Sequence, residues 1–302
     1  MKYLQITFVL LFLLSSCKQD SGKVDASKNE VAVEEKATTS IALKQIWESP
    51  SSLITAESVL WDESKGLYFV SCIGAVPPTA EDGDGYIAQI DQRGNILNAS
   101  WAKGLDAPKG MAIQGDDLYV TDINEFVVID YATGSIKERI PVEGAQFLND
   151  IALVPDGQVL FSDSNTNKIH EYADGTVSTF LEDTLFGGPN GLFIDEETIY
   201  VAGFGSGDVN TIDRKTKTIT NHGKGTVPGG DGVEPWDGGM VYSNWNGEVY
   251  YLDEEWNTTK VLDTKEAKMN AADIEINQGT KQLLVPTFFG NSVVCYEITS
   301  KS

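Results

Sequence analysis

Four oxygen-bearing side chains, Glu57, Asn149, Asn190 and Asp231, recur at one phase of this 302-residue chain, with Lys109 and Ala272 in the two remaining slots. The successive intervals from Glu57 to Ala272 are 52, 40, 41, 41 and 41 residues. Carboxylate and amide oxygens suit a hard divalent cation: calcium takes about 6–8 oxygens at 2.3–2.6 Å, and two carboxylates balance its charge. Four protein groups would leave coordination positions for water and substrate, which metal-assisted catalysis requires. Taken singly, Asn190-Gly191 and Asp231-Gly232 read more readily as turn dipeptides. Their shared phase favours a cation cage, as does Glu57, which opens an apolar run where an unpaired charge is costly.

Other chemistries find little support. The only histidines, His170 and His222, lack a triad context and cannot build a multi-histidine zinc cluster. There is no Gly-x-Ser-x-Gly elbow and no Walker loop, and Gly203-Phe204-Gly205-Ser206-Gly207 opens no helical pattern. Glu81-Asp82-Gly83-Asp84-Gly85 lacks the spacing and terminal glutamate of a calcium loop, so it reads as a solvated turn. Forty-five acidic against 22 basic side chains give a net charge of −23, which repels polyanions, so no nucleic-acid partner is expected. Cys72 and Cys295 lie in apolar runs and read as buried, unpaired thiols.

The elements that must hold the candidate residues repeat with them. Units such as ESVLWDESKGLYFVS, PKGMAIQGDDLYVTD and LNDIALVPDGQVLFSD each contain a short apolar run, a turn and a second run, followed by a third alternating run such as YIAQID or FVVID. Four strands in about 41 residues, without an amphipathic helix, make a propeller blade. Six units predict an all-β, six-bladed β-propeller over 42–302. The last unit has only three strands, so Ile41–Glu48 is expected to supply its outer strand and close the ring, removing an exposed edge. The long first interval contains a Gly/Pro-rich insertion at 73–85, placed above the ring and able to act as a lid. Phe204, Trp245, Phe288 and Phe289 fall in equivalent loops, where they serve either an apolar pocket or ordinary inter-blade packing.

Ahead of the propeller, residues 1–17 place Lys2 before an apolar run too short to span a bilayer, and the ending Leu14-Ser15-Ser16-Cys17 resembles a bacterial lipobox. The resemblance implies cleavage before Cys17, lipid attachment to its thiol and an exported protein held on the periplasmic or cell-surface side of a bacterial membrane. Residues 18–41 contain no aromatic side chain and read as a disordered tether. A monomer is favoured.

Glu57-Ser58-Val59-Leu60-Trp61-Asp62, Leu148-Asn149-Asp150, Pro189-Asn190-Gly191-Leu192 and Gly230-Asp231-Gly232 resemble the gluconolactonase family that includes senescence marker protein. This is a branch of the six-bladed calcium-dependent phosphotriesterase and lactonase propellers, and the resemblance covers most of 48–299. It implies a hydrolase of a lactone or related ester, with Glu57, Asn190 and Asp231 holding a divalent metal, Asp231 also acting as general base, and Asn149 and Asp150 placing substrate or water. Calcium is the expected ion, with zinc, manganese and magnesium as alternatives. Two positions depart from the pattern. Phe147 stands where sugar-lactone hydrolases commonly carry arginine. Lys109 occupies a ring slot, where repulsion by a cation predicts that it tilts to the rim, either to bind an anionic substrate group or simply as an exposed lysine. A non-enzymatic binding propeller, with a structural cation or none, is the alternative reading.

Overall fold

The computed structural model describes residues 40–155, 157–223 and 227–301, with the side chain of residue 301 left aside. The expected signal segment and Cys17, and nearly all of the expected tether, lie outside the described residues. Six four-stranded antiparallel sheets form a β-propeller. The inner strands, in chain order, are Ala56–Asp62, Pro108–Gln114, Leu148–Leu153, Pro189–Ile194, Gly230–Trp236 and Glu275–Asn277. Short 3-10 turns at Thr184–Phe186 and Lys265–Ala267 are the only helical elements among the described residues.

Closure of the ring follows the expected route. The outermost strand of the last blade is Ser40–Glu48, pairing antiparallel with Val293–Lys301 from Ser40↔Lys301 to Glu48↔Val294. It begins one residue earlier than the sequence boundary suggested. Ile41 is fully buried beside Tyr296 and Ile298, so pairing and apolar burial act together. Burying such a side chain contributes about 1.5–3 kcal/mol.

Apolar side chains of neighbouring blades interleave to form the core. Phe69 and Ile87 of the first blade pack with Met111, Val120 and Val127 of the second, and Phe126 of the second stacks on Phe161 of the third at 4.9 Å. Each contact layer is thus shared by two sheets, and the six layers fix the blades around a central channel. Cys72 and Cys295 share one cluster as free thiols, and burial pushes each up to about 12, which leaves them unreactive.

A local irregularity recurs where the candidate residues stand. Register shifts fall between Ala56 and Ser58, Pro108 and Met111, Leu148 and Ile151, Pro189 and Leu192, and Gly230 and Val233. A bulge re-aims a side chain that regular pleating would send into a sheet face. In the first five blades it brackets the ring position.

Candidate functional site

The ring residues meet at the floor of a cavity of about 720 Å³, lined by Glu57, Lys109, Asn149, Asn190 and Asp231. Relative exposures are 5% for Glu57, 3% for Asn149, and 2% for Asn190 and Asp231. Each of these four presents one buried oxygen with no hydrogen-bond partner among the described residues: Glu57 Oε2, Asn149 Oδ1, Asn190 Oδ1 and Asp231 Oδ1. The amide nitrogens are turned away, Asn149 Nδ2 donating to Ser164 Oγ at 3.4 Å and the Asn190 side chain bonding to Asp231. Four acceptors without a donor are costly in a protein interior unless something positive satisfies them.

The charges agree with that reading. Burial, then repulsion from Asp273, raises Glu57 to about 8, against the attraction of Lys109. Burial and repulsion from Glu57, Asp273 and Asp150 push Asp231 well above the usual carboxylate range. The arrangement fits a divalent cation, which would offset this repulsion and accept all four free oxygens. Among the described residues no group of three or more His, Cys, Asp and Glu side chains forms a metal site. The donor set here is instead two carboxylates and two amides, which suits a hard, oxygen-preferring ion.

Lys109 corrects the expectation of a rim residue. It is 1% exposed, its Nζ donates to the Ala107 carbonyl at 2.8 Å, and it sits 4.5 Å from the centroid of the Phe147 ring. Burial lowers its ammonium to about 8, while Glu57 and Asp122 hold the proton on. Attraction to the Glu57 and Asp122 carboxylates and to an aromatic face thus offsets the cost of burying the ammonium. Phe147, the other departure from the family pattern, is the aromatic partner.

Asp150 also lies elsewhere than expected. It does not line the cavity. Its Oδ1 accepts from Ile151 N at 2.7 Å and its Oδ2 from Leu192 N at 2.6 Å, and it bonds to Asp273, placing it one layer deeper in the channel. Asp273 in turn accepts from Ser58 Oγ at 2.8 Å. Burial and repulsion between these acids push Asp150 well above its ordinary value, and burial pushes Asp273 up to about 7.

This deeper layer was not singled out from the sequence, although a signal existed: the residue after each ring slot reads Ser58, Gly110, Asp150, Gly191, Gly232 and Asp273. The glycines are there for clearance. A Cβ on Gly191 would lie 2.0 Å from the Asp231 carbonyl oxygen, and one on Gly232 would lie 2.5 Å from Ile274 N. A second overlooked feature is a hydroxyl on the second strand. Ser162 Oγ accepts from Asp150 N at 3.0 Å and donates to the Asn190 carbonyl at 2.7 Å, and Ser243 Oγ accepts from Gly232 N and donates to the Ala272 carbonyl, both at 2.7 Å. Thr121 makes the corresponding bond to the Asn149 carbonyl. Each hydroxyl satisfies a group freed by a bulge and ties it to the next blade.

Above the floor, the 73–85 segment covers one side of the opening and contributes Ile73, Val76, Pro77, Pro78 and Thr79 to the cavity wall. Asp84 Oδ2 accepts from Ala75 N and Asp106 Oδ1 from Gly83 N, both at 2.9 Å, pinning the loop to the blade rim. Gly74, at φ +87°, leaves room for the Asp84 carboxylate. The acidic run 81–85 is a hydrogen-bonded turn in this segment. Phe204, Trp245, Phe288 and Phe289 all line the same cavity, and Phe288 and Trp245 also pack with Ile73, Ala107, Ile123 and Ala272, so both positions open to these aromatics are occupied.

No family model matches the chain, and no curated protein matches it. Solved structures do. A virginiamycin B lyase from Staphylococcus aureus, a histidine variant described as catalytically inactive and bound to quinupristin, is 14% identical over 86% of this chain and 99% of its own, with a TM-score of 0.57. A streptogramin B lyase is 11% identical over 86% of this chain and 98% of its own, at 0.59. A protein provisionally called a gluconolactonase is 16% identical over 88% of this chain and 94% of its own, at 0.60. At these identities the likeness is one of fold: the chain has the β-propeller architecture of these proteins.

Proposed function

We propose that this protein is a divalent-metal-dependent hydrolase that opens a lactone or a related ester. The observation that carries the reading is the set of four buried, donorless oxygens on Glu57, Asn149, Asn190 and Asp231 at the floor of an open cavity. A cation held by these residues, calcium being best suited to the set, supplies Lewis-acid polarisation of the ester carbonyl.

The chain's own groups do the rest. The Asp231 carboxylate, oriented by its hydrogen bond with Asn190, would take the proton of the attacking water. Asn149 turns its amide oxygen to the cavity because Ser164 holds the nitrogen. Lys109 spends one donor on Ala107, leaving N–H groups for a substrate oxygen or an anionic substituent. The 73–85 segment and the facing aromatics limit solvent above the floor. Among the described residues neither histidine lines the cavity, so the floor offers no imidazole base for the histidine-dependent chemistry suggested by the lyase variant. Export and lipid attachment through Cys17 belong to the same proposal; Cys17→Ser is expected to release the protein from the membrane fraction.

The test uses purified full-length protein, stripped with chelator and reloaded with calcium, manganese, zinc or magnesium, against a panel of sugar, alkyl and aryl lactones. Turnover restored by metal and lost in Asp231→Asn is expected. Tight stoichiometric metal binding with no turnover across the panel would move the assignment to a ligand-binding propeller. Absence of metal binding would overturn it.

A further inference from the structure

We infer that the mouth cavity selects a lactone or ester carrying a large apolar body, an alkyl chain or aryl ring, over a polyhydroxylated sugar lactone. The reacting group in this statement rests on the hydrolase reading above, whereas the apolar body rests on the walls alone.

The cavity is divided by chemistry. Glu57, Lys109, Asn149, Asn190 and Asp231 sit at the floor, and the wall above is built mainly from Phe147, Phe204, Trp245, Phe288, Phe289 and the prolines and Val76 of the covering segment. Trp245, Phe288 and Phe289 form an edge-on triad, with centroid distances of 5.4, 5.7 and 4.9 Å. Phe288 holds φ at +45°, a left-handed conformation unfavourable for a bulky residue, and is locked there by its N–H bond to the Ala56 carbonyl at 3.1 Å. The result is a buried Phe288 backing a Phe289 that is 54% exposed. Phe204 and Val76 are 42% and 52% exposed at the same opening. Large apolar side chains left in water around one cavity mark a surface that is covered when a ligand arrives.

The wall has little to offer hydroxyl groups. Its polar members are Thr79, Ser164 and Asn165, and the Ser164 hydroxyl already donates to the Pro189 carbonyl at 2.7 Å and accepts from Asn149. A sugar ring seated here would bury hydroxyls against aromatic faces, losing roughly tenfold in affinity for each one left unpaired. An alkyl chain in the same place gains about fourfold per methylene removed from water. The cavity's volume, about 720 Å³, is ample for such a chain together with the reacting ring.

The experiment measures binding separately from turnover. Metal-loaded full-length protein is titrated calorimetrically with a series of alkyl-substituted δ-lactams of increasing chain length, which imitate lactones but resist opening, and with gluconolactam. The expected result is a Kd that falls about fourfold per added methylene until the cavity is filled, with gluconolactam at least tenfold weaker than the hexyl lactam. Val76→Ser combined with Phe289→Ser, both at the exposed rim, should flatten the chain-length series while leaving metal binding and the melting temperature unchanged. A flat series, or gluconolactam binding more tightly than the hexyl lactam, would overturn the inference. The matching lactones are assayed in parallel. Chain-length-dependent lactam binding without opening of any lactone would remove the hydrolase reading and leave the apolar cavity standing. Opening of gluconolactone with no chain-length dependence would do the reverse.

Discussion

Asn149 and Asp150 are neighbours in the chain, as are Ala272 and Asp273, yet the two layers they help to form treat buried oxygen in opposite ways. In the deeper layer the Asp150 carboxylate accepts two backbone N–H groups, and Asp273 accepts from Ser58 and bonds to Asp150. In the upper ring Glu57, Asn149, Asn190 and Asp231 each keep an oxygen without a hydrogen-bond partner among the described residues. Burial is comparable, so the number of donors supplied is what separates the layers. A satisfied acid layer ties the inner strands together across the channel, whereas the unsatisfied one leaves acceptors free for the proposed ion.

The largest effect that would test this contrast is on turnover. Asp231→Asn keeps an oxygen at the ring and removes the base, so kcat on a competent substrate should fall about a hundred- to ten-thousand-fold, while calorimetry still detects metal. Retained turnover would remove Asp231 from the base role. Next comes the cation itself. At a hundredfold excess over its Kd it should add about 2.7 kcal/mol of stability, which for a domain of this size raises the melting temperature by about 5–10 °C. Glu57→Gln should abolish most of that shift, and Asp273→Asn should keep it; equal loss in both variants would erase the distinction between the layers.

A smaller effect is expected from the tie between them. Ser162→Ala removes the acceptor of Asp150 N and the donor to the Asn190 carbonyl, costing about 1–3 kcal/mol in chemical denaturation. Because Asn190 shifts with its carbonyl, metal affinity should weaken as well; unchanged affinity would show that the bulge holds its aim unaided. A separate signal is pH dependence without metal. Burial raises Asp273 from 3.8 to about 7 and Glu275 from 4.5 to about 8. The folded state therefore keeps protons that the unfolded chain gives up. The stability these two protons lend is fully present below the unfolded values and lost as pH climbs through the folded ones, with a slope of up to about 1.4 kcal/mol per pH unit for each group. A metal-free denaturation midpoint that rose between pH 5 and 8 would contradict this, and Asp273→Asn should shallow the slope.

The sequence gives good access to features repeated by every blade. Blade number, closure by the segment at Ile41–Glu48 and the common ring of Glu57, Lys109, Asn149, Asn190 and Asp231 all follow from a strand pattern with a near-constant period, because identical phase in identical blades places residues at identical depth. The place of the 73–85 segment beside the cavity follows from the same geometry, since it lies in the one interval longer than its fellows.

What the period could not decide was the outcome of contacts between different blades. Lys109 was expected at the rim because a cation would repel it; its burial depends on Phe147, Glu57 and the Ala107 carbonyl, contributed by three separate blades or loops. Asp150 looked like a cavity residue in the chain, and only the channel brings it to Asp273. The donorless state of the four ring oxygens is likewise a sum over all neighbours. Periodicity fixes where a side chain starts, since that is set by backbone geometry local to the blade; its final partner, burial and charge are set by the short-range forces of whatever side chains the closed ring brings within a few ångströms.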